Sequence, residues 1–248
     1  MDAMFRWPAL DELLARLAFA QASHGFALLT GDPGSGKSAA LRIFLHSLDP
    51  NVHPAVYIAD SGLSPRSFYG RVLEHFGVLP AFAAGRARSQ FQSLLSDFSA
   101  QGKHPLILID EGHELSPTMV AELRYLQNTG DCDAISPFTL IVSGQSHLRA
   151  MLRFKTFEAV AQRVTVRCSL GPLTLPQTTA FVTDALARAG IDRPLFTEAA
   201  LQLLHTHSRG LLRPLGNLAT HALLDAALAQ TPLVEEHSVR RAVSELED

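Results

Sequence analysis

Cysteine is scarce in this chain: 248 residues contain two, Cys132 and Cys168, and no CxxC spacing. That argues against a disulfide scaffold or a cysteine zinc site and predicts ordinary thiols in a reducing compartment. Charge is sparse as well. Charged residues make up 18% of the chain and the formal net charge is −3, so the sequence lacks the strongly basic balance common in nucleic-acid-binding domains. A local basic patch remains compatible with such a balance. No window reaches the roughly 18 uncharged apolar residues of a membrane span. The start, Met1-Asp-Ala-Met-Phe-Arg6, has no basic leader followed by an apolar stretch. These absences predict a cytoplasmic protein. Internal repeats, low-complexity tracts and long charge runs are also missing. What the chain has is 47% hydrophobic residues, enough to bury a core without covalent staples.

Up to about residue 170, short β-rich apolar runs alternate with helical patterns. The runs are Gly25–Gly31, Ala55–Ala59, Leu106–Ile109, Phe138–Val142 and Val164–Cys168. Helical patterns cover Lys37–Ser47, Pro65–Phe76, Arg88–Ala100 and Pro117–Gln127. Strands without polar alternation, separated by helices, imply a parallel sheet covered on both faces and doubly wound by right-handed crossovers. After Gly171-Pro172 the β-branched runs stop, and Pro176–Ala189, Thr197–His207, Leu212–Gln230 and Glu236–Leu246 all read as helices. The expectation is an α/β core over 1–171, with a five-stranded parallel sheet, followed by a small all-helical lid domain over 172–248.

Between the first strand and the helix after it lies Gly31-Asp32-Pro33-Gly34-Ser35-Gly36-Lys37-Ser38, which fits G-x-x-x-x-G-K-[ST] in full. Glycines let the loop take backbone angles closed to other residues, so successive N–H groups turn inward around a phosphate. The helix starting near Lys37 adds its positive end, with Ala39 in its first turn. Lys37 then reaches the outer phosphates of ATP, and the Ser38 hydroxyl is a ligand for Mg2+. The second half of the site is Leu106-Ile-Leu-Ile-Asp110-Glu111. A buried strand delivers two carboxylates at its C-terminal edge, where ligands bind in such sheets. Asp110 is expected to hold magnesium, directly or through water, and Glu111 to polarise the attacking water. A glutamate directly after the aspartate points to hydrolysis rather than nucleotide binding alone.

The order of elements resembles the AAA+ ATPases (the ASCE class of P-loop proteins), in the branch that holds the ExeA-type secretion ATPases and the TniB, TnsC and MuB kind of transposition ATPase. The resemblance rests on Gly25–Ser38, Ile109-Asp-Glu-Gly-His-Glu-Leu115, Glu122-Leu-Arg-Tyr-Leu126, Ile141-Val-Ser-Gly-Gln145, Gln162-Arg163 and Ser208-Arg-Gly-Leu-Leu-Arg-Pro214. It implies that Gln145, or alternatively Ser143, is the first sensor that orients water near the γ-phosphate. Arg163 falls where such proteins place the arginine finger that reaches a neighbouring subunit's nucleotide, with Arg153 as substitute. Arg213 matches the second sensor, a lid guanidinium on the γ-phosphate. One departure stands out. The branch carries Asp-Glu-Ala-Gln where this chain has Asp110-Glu111-Gly112-His113. The acids survive, and His113 reads as an exposed histidine at a helix cap, or else as a contact to a neighbouring subunit or DNA.

The resemblance also implies an ATP-dependent homo-oligomer, a ring or filament. One implied role is assembly on duplex DNA and regulation of a transposase, with Arg66, Arg71, Arg86, Arg88, Arg149, Arg153 and Lys155 as candidate phosphate contacts. Taken singly, each of these residues is read first as part of a solvated helix face. The alternative is an ExeA-like role in assembling secretion machinery at the cell envelope. Such proteins carry a membrane anchor and a wall-binding region beyond the core, so a chain closing on its lid helices weighs towards the transposition-type role. A STAND-type switch would bring repeats, and a kinase would bring an acceptor-binding lid motif. The pair His205-x-His207 lies at i and i+2 on a helix and points to different faces, so magnesium is the one metal expected.

Overall fold

Strands whose every residue is buried belong in the middle of a sheet, and strands with alternating burial belong at its edges. The computed structural model, which describes residues 5–60, 62–126 and 136–247, follows that rule. The fully buried strands are β1 (Phe26–Gly31), β3 (Leu106–Ile109) and β4 (Thr139–Gly144). The half-buried ones are β2 (Ala55–Ile58) and β5 (Val166–Leu170). The sheet order is β2-β3-β4-β1-β5, so the buried strands are the inner three. The pairs β2–β3, β3–β4 and β4–β1 are parallel, as right-handed crossovers through helices require.

The helices of this part are α1 (Pro8–Ala22), α2 (Lys37–His46), α3 (Pro65–His75), α4 (Ala84–Ala100), α5 (Pro117–Leu126) and the short α6 (Ser146–Met151) and α7 (Glu158–Ala161). The chain divides into two compact units. One is Glu12–Gly31 with Lys37–Ser169, and its core gathers Phe68, Phe91 and Phe138 around the sheet's Ile107, Ile109 and Leu140. The other is Met1–Asp11, Asp32–Gly36 and Leu170–Asp248, built mainly from α8 (Leu175–Arg188), α9 (Glu198–Ser208), α10 (Leu212–Leu228) and α11 (Glu236–Glu247).

Several element limits differ from the sequence reading. Helix α1 is additional, although Leu10, Leu13, Leu17 and Ala20 are all buried and recur at helical spacing. Helix α4 starts at Ala84, four residues before Arg88, behind an Ala83 cap with no side-chain bond. Nothing in Ala83-Ala84-Gly85 signals that start. Strand β4 continues through Gly144 because Ser143 and Gly144 pair with Leu29 and Thr30 of β1. Cys132 lies outside the described residues; Cys168 is buried on β5, and burial raises its thiol to about 11. Among the described residues no helix is long and apolar enough to cross a membrane.

In the helical unit Thr174 and Gln177 form a capping box at the start of α8, and Thr197 caps α9 through Ala200 N–H. His205 bonds Thr178 of α8 at 2.9 Å, a structural role that leaves His207 on another face. No group of three or more metal-ligating side chains occurs among the described residues. Helix α9 closes through Arg209 at φ 53° and Gly210 at φ 71°. The Gly210 carbonyl accepts from Leu173 N–H at 2.8 Å.

Where β1 and β3 begin, three histidines meet. The rings of His24 and His104 stack with centroids 3.3 Å apart, and His53 Nδ1 lies 3.2 Å from the His104 carbonyl. Burial, then the charges of His24 and His53, push His104 down to about 4, and burial lowers His24 too. The folded protein therefore keeps His104 neutral between about pH 6.5 and 4, where the unfolded chain takes up a proton. Stability is full above about pH 6.5 and falls as the pH drops towards 4, by about 1–2 kcal/mol for this group after screening. The urea midpoint measured from pH 7 to 4.5 should drop for the native protein, and less for His104→Phe.

Candidate nucleotide site

Strand β1 is buried to its last residue and emerges at Gly31, from which the glycine-rich loop must turn at once into α2. Gly34 at φ 80° and Gly36 at φ 100° make that turn, in conformations that other residues rarely take. The Lys37 ammonium, with its residue 7% exposed, donates to the Gly31 carbonyl at 2.9 Å. A buried cation held against its own loop is poised for an anion, and the Ser35 hydroxyl, two residues earlier, is buried without a hydrogen-bond partner. Asp32 and Pro33 are exposed at the loop's tip. In the helical unit the loop continues into a backbone bond: Arg213 N–H, in the first turn of α10, donates to the Gly34 carbonyl at 3.1 Å. A Cβ at Gly34 would stand 3.1 Å from both Arg213 Cβ and Pro214 Cδ, so the absence of a side chain permits the contact.

Asp110 follows β3 and is 2% exposed. Its Oδ2 accepts from Ser38 Oγ at 2.7 Å and from Tyr57 Oη at 2.5 Å, and its Oδ1 accepts from Glu111 N–H at 3.0 Å. Burial alone would raise the Asp110 carboxyl, but these donors, with the nearby Ser143 hydroxyl, outweigh it and hold the group below its usual range. The Tyr57 phenol is correspondingly pushed up to about 12, by burial and by its bond to Asp110. This donor set suits a divalent cation: a deprotonated carboxylate and a hydroxyl meet beside the phosphate loop, as magnesium and ATP require. Tyr57 escaped the sequence reading. The available signal was a phenol near the C-terminal end of an otherwise apolar strand, level with Leu108 of β3.

Glu111 adopts φ 52°, ψ 32°, in the left-handed region, and its side chain is 45% exposed. Register places Ile109 opposite Val142, so Asp110 and Ser143 come next, followed by Glu111 and Gly144. Gln145 is half-buried and forms the N-terminal cap of α6. Arg163 is half-buried and its Nη1 donates to the Ala159 carbonyl at 2.7 Å, whereas Arg153 is exposed. Arg213 is exposed.

His113 corrects the expectation of an exposed cap. Its side chain is only 7% exposed, because Gly112 and Gly144 let the turn at Gly112–Glu114 press against the end of β4. A Cβ at Gly112 would lie 2.4 Å from Val142 Cγ1, and one at Gly144 would lie 3.1 Å from His113 N. Two of the basic residues read as phosphate contacts are also committed within the fold. Arg71 pairs with Asp60 at 2.8 Å, and Arg88 pairs with Glu122, which also accepts from Tyr69 Oη at 2.6 Å.

A parallel sheet in the order 2-3-4-1-5, with a glycine-rich phosphate loop after β1 and an Asp-Glu pair after β3, defines a P-loop ATPase of the AAA type. The chain belongs to the AAA domain family AAA_22, whose model matches residues 20–152. It is 34% identical over 220 residues to the general secretion pathway protein A of Aeromonas hydrophila. That match covers 87% of the chain but only 40% of the relative's length. Among solved structures, Cdc6p from Pyrobaculum aerophilum superposes with a TM-score of 0.72 at 15% identity, over 97% of this chain and 68% of that one. The Aeropyrum pernix ORC1 protein in complex with DNA gives 0.71 at 18%, over 98% and 66%. The Thermotoga maritima RuvB Holliday junction branch migration motor gives 0.60 at 17%, over 96% and 68%. At such identities these structures share the fold.

Proposed function

We propose that the chain is an ATP-hydrolysing switch whose nucleotide state governs its assembly with copies of itself. The observation that carries this is the junction at Asp110, where Ser38 of the phosphate loop and Tyr57 of β2 converge one residue before Glu111. ATP is bound by the backbone of Gly31–Ala39 and by Lys37. Ser38 and Asp110 hold magnesium, which when bound neutralises charge on the phosphates. Glu111 takes the proton of the attacking water, oriented by Gln145 or by Ser143. Arg163, or Arg153 in its place, reaches the nucleotide of a neighbouring copy, and Arg213 reads the γ-phosphate from α10. Arg163→Ala and Arg213→Ala should each keep ATP binding and lose turnover; full turnover by either variant removes that residue from the site.

The output is read as protein-directed assembly at the envelope, because the 34%-identical relative is named for the general secretion pathway and the likeness spans most of the chain. A second reading, assembly on duplex DNA with a transposase as partner, is favoured by one surface. The Arg66 guanidinium lies 4.3 Å above the ring of Phe82, which is 84% exposed, beside an open cavity of about 820 Å3. Arg86 is exposed nearby in sequence. Exposed guanidiniums at Arg66 and Arg86 suit neutralising the phosphates of a duplex. Duplex binding measured with ATP, ADP and no nucleotide at two salt concentrations separates the readings. Salt-sensitive, ATP-dependent binding that Arg66→Ala abolishes would install the DNA reading. Intact ATPase activity with no DNA binding in any state supports the protein-directed one.

A further inference from the structure

The Nδ1 atom of His113 stands between two groups of the proposed hydrolytic machinery. It lies 3.4 Å from Glu111 Oε2 and 3.4 Å from the backbone nitrogen of Gln145. The other ring nitrogen, Nε2, is 4.0 Å from Glu114 Oε1, and the ring meets His147 edge-on with centroids 4.7 Å apart. One imidazole nitrogen serves a single partner at a time. Without a proton, Nδ1 uses its single lone pair to accept from Gln145 N–H and offers the carboxylate no hydrogen bond; carrying the proton, it donates to Glu111 and leaves the Gln145 N–H without that acceptor. The ring sits in a confined place, its side chain only 7% exposed and its face met edge-on by His147.

From this geometry we infer that His113 is a positioning residue that couples the Glu111 carboxylate to the Gln145 segment, so that the base and the water-orienting residue engage together. The inference rests on the hydrolytic reading of Glu111. When Glu111 turns towards water, Nδ1 is left to Gln145 N–H, which fixes the start of α6 and with it the Gln145 side chain. When Gln145 N–H withdraws, Nδ1 takes the carboxylate and keeps it from the water. Neither state requires His113 to touch the nucleotide. The cost of removing it therefore falls on turnover and not on binding.

The test compares His113→Leu, which fills much of the space without hydrogen-bonding capacity, with His113→Gln, whose amide carries a separate donor and acceptor. Steady-state ATP hydrolysis and direct binding of a fluorescent ATP analogue are measured for both. His113→Leu should lower kcat at least about tenfold while KM and analogue affinity stay within about twofold, and His113→Gln should recover kcat to within about threefold of the native value. A His113→Leu protein with native kcat overturns the inference. So does His113→Gln falling as far as His113→Leu, which would make the ring a matter of shape. Glu111→Gln run alongside keeps the two claims apart. Loss of turnover in Glu111→Gln with native turnover in His113→Leu defeats the coupling alone, whereas undiminished turnover in Glu111→Gln defeats the hydrolytic reading itself.

Discussion

Glu111→Gln is expected to lower ATP turnover by at least about 100-fold, the lower end of what a positioned general base contributes, while ATP binding is retained. The amide is nearly isosteric and cannot accept the water's proton. The bonds from Lys37 Nζ to the Gly31 carbonyl and from Ser38 to Asp110 do not involve the Glu111 side chain. The Glu111 backbone also keeps its role, its N–H donating to Asp110 Oδ1 at 3.0 Å. If ATP binding drives assembly and hydrolysis releases it, the variant should accumulate as an ATP-bound oligomer. Size-exclusion chromatography in ATP and in ADP, beside a turnover assay, measures both halves. An unassembled Glu111→Gln protein in saturating ATP would sever hydrolysis from assembly. Native turnover would take the base role from Glu111.

The second large effect is on stability and belongs to the helical unit. Gly210→Ala should destabilise the protein by about 3 kcal/mol or more, and the melting temperature of the whole chain should fall by about 6–12 °C. Two penalties coincide there. Gly210 has φ 71°, and a Cβ would stand 2.2 Å from the Leu173 carbonyl oxygen and 3.0 Å from the Leu173 nitrogen. Both obstacles are backbone, and they belong to the segment whose N–H bonds Gly210, so neither can swing away as a side chain would. Gly102→Ala is the matched control. That glycine has φ 66°, and nothing lies within 4 Å of where its Cβ would be, so only the conformational cost of roughly 1 kcal/mol applies. Equal losses in the two variants would show that the contact with Leu173 contributes nothing.

Much of the site was legible because its chemistry depends on residue type at fixed spacing. Gly31 to Ser38 must be glycine, lysine and hydroxyl in that order, and Asp110-Glu111 must follow an apolar strand, so the sequence displays both halves. The sheet was legible from its apolar runs, since β3 is apolar throughout and β1 carries a single polar side chain, Thr30, so neither shows the alternation of a half-exposed strand. What stayed hidden depends on neighbours in space. Tyr57 is an ordinary strand residue until β2 is laid beside β3 and its phenol reaches Asp110. His113 looked like a solvent-facing cap because a sequence cannot reveal that Gly112 lies against Val142 and Gly144 against His113, so that the turn packs inwards. Arg71 and Arg88 looked like free cations because Asp60 is 11 residues from one and Glu122 is 34 from the other. The start of α4 was missed for a different reason: a helix that begins on Ala83 with no capping side chain leaves no mark.

The left-handed backbone at Glu111 has an evolutionary consequence. A glutamate at φ 52° costs roughly 1 kcal/mol relative to a glycine, which takes that conformation freely. The residue that the reaction needs is thus one the local chain geometry disfavours. A population of variants screened for heat endurance alone should drift to glycine or asparagine at position 111, gaining robustness as it loses turnover. Lineages that have kept glutamate there would be under continuing selection for the reaction itself, and a copy released from that duty would be expected to lose the acid early.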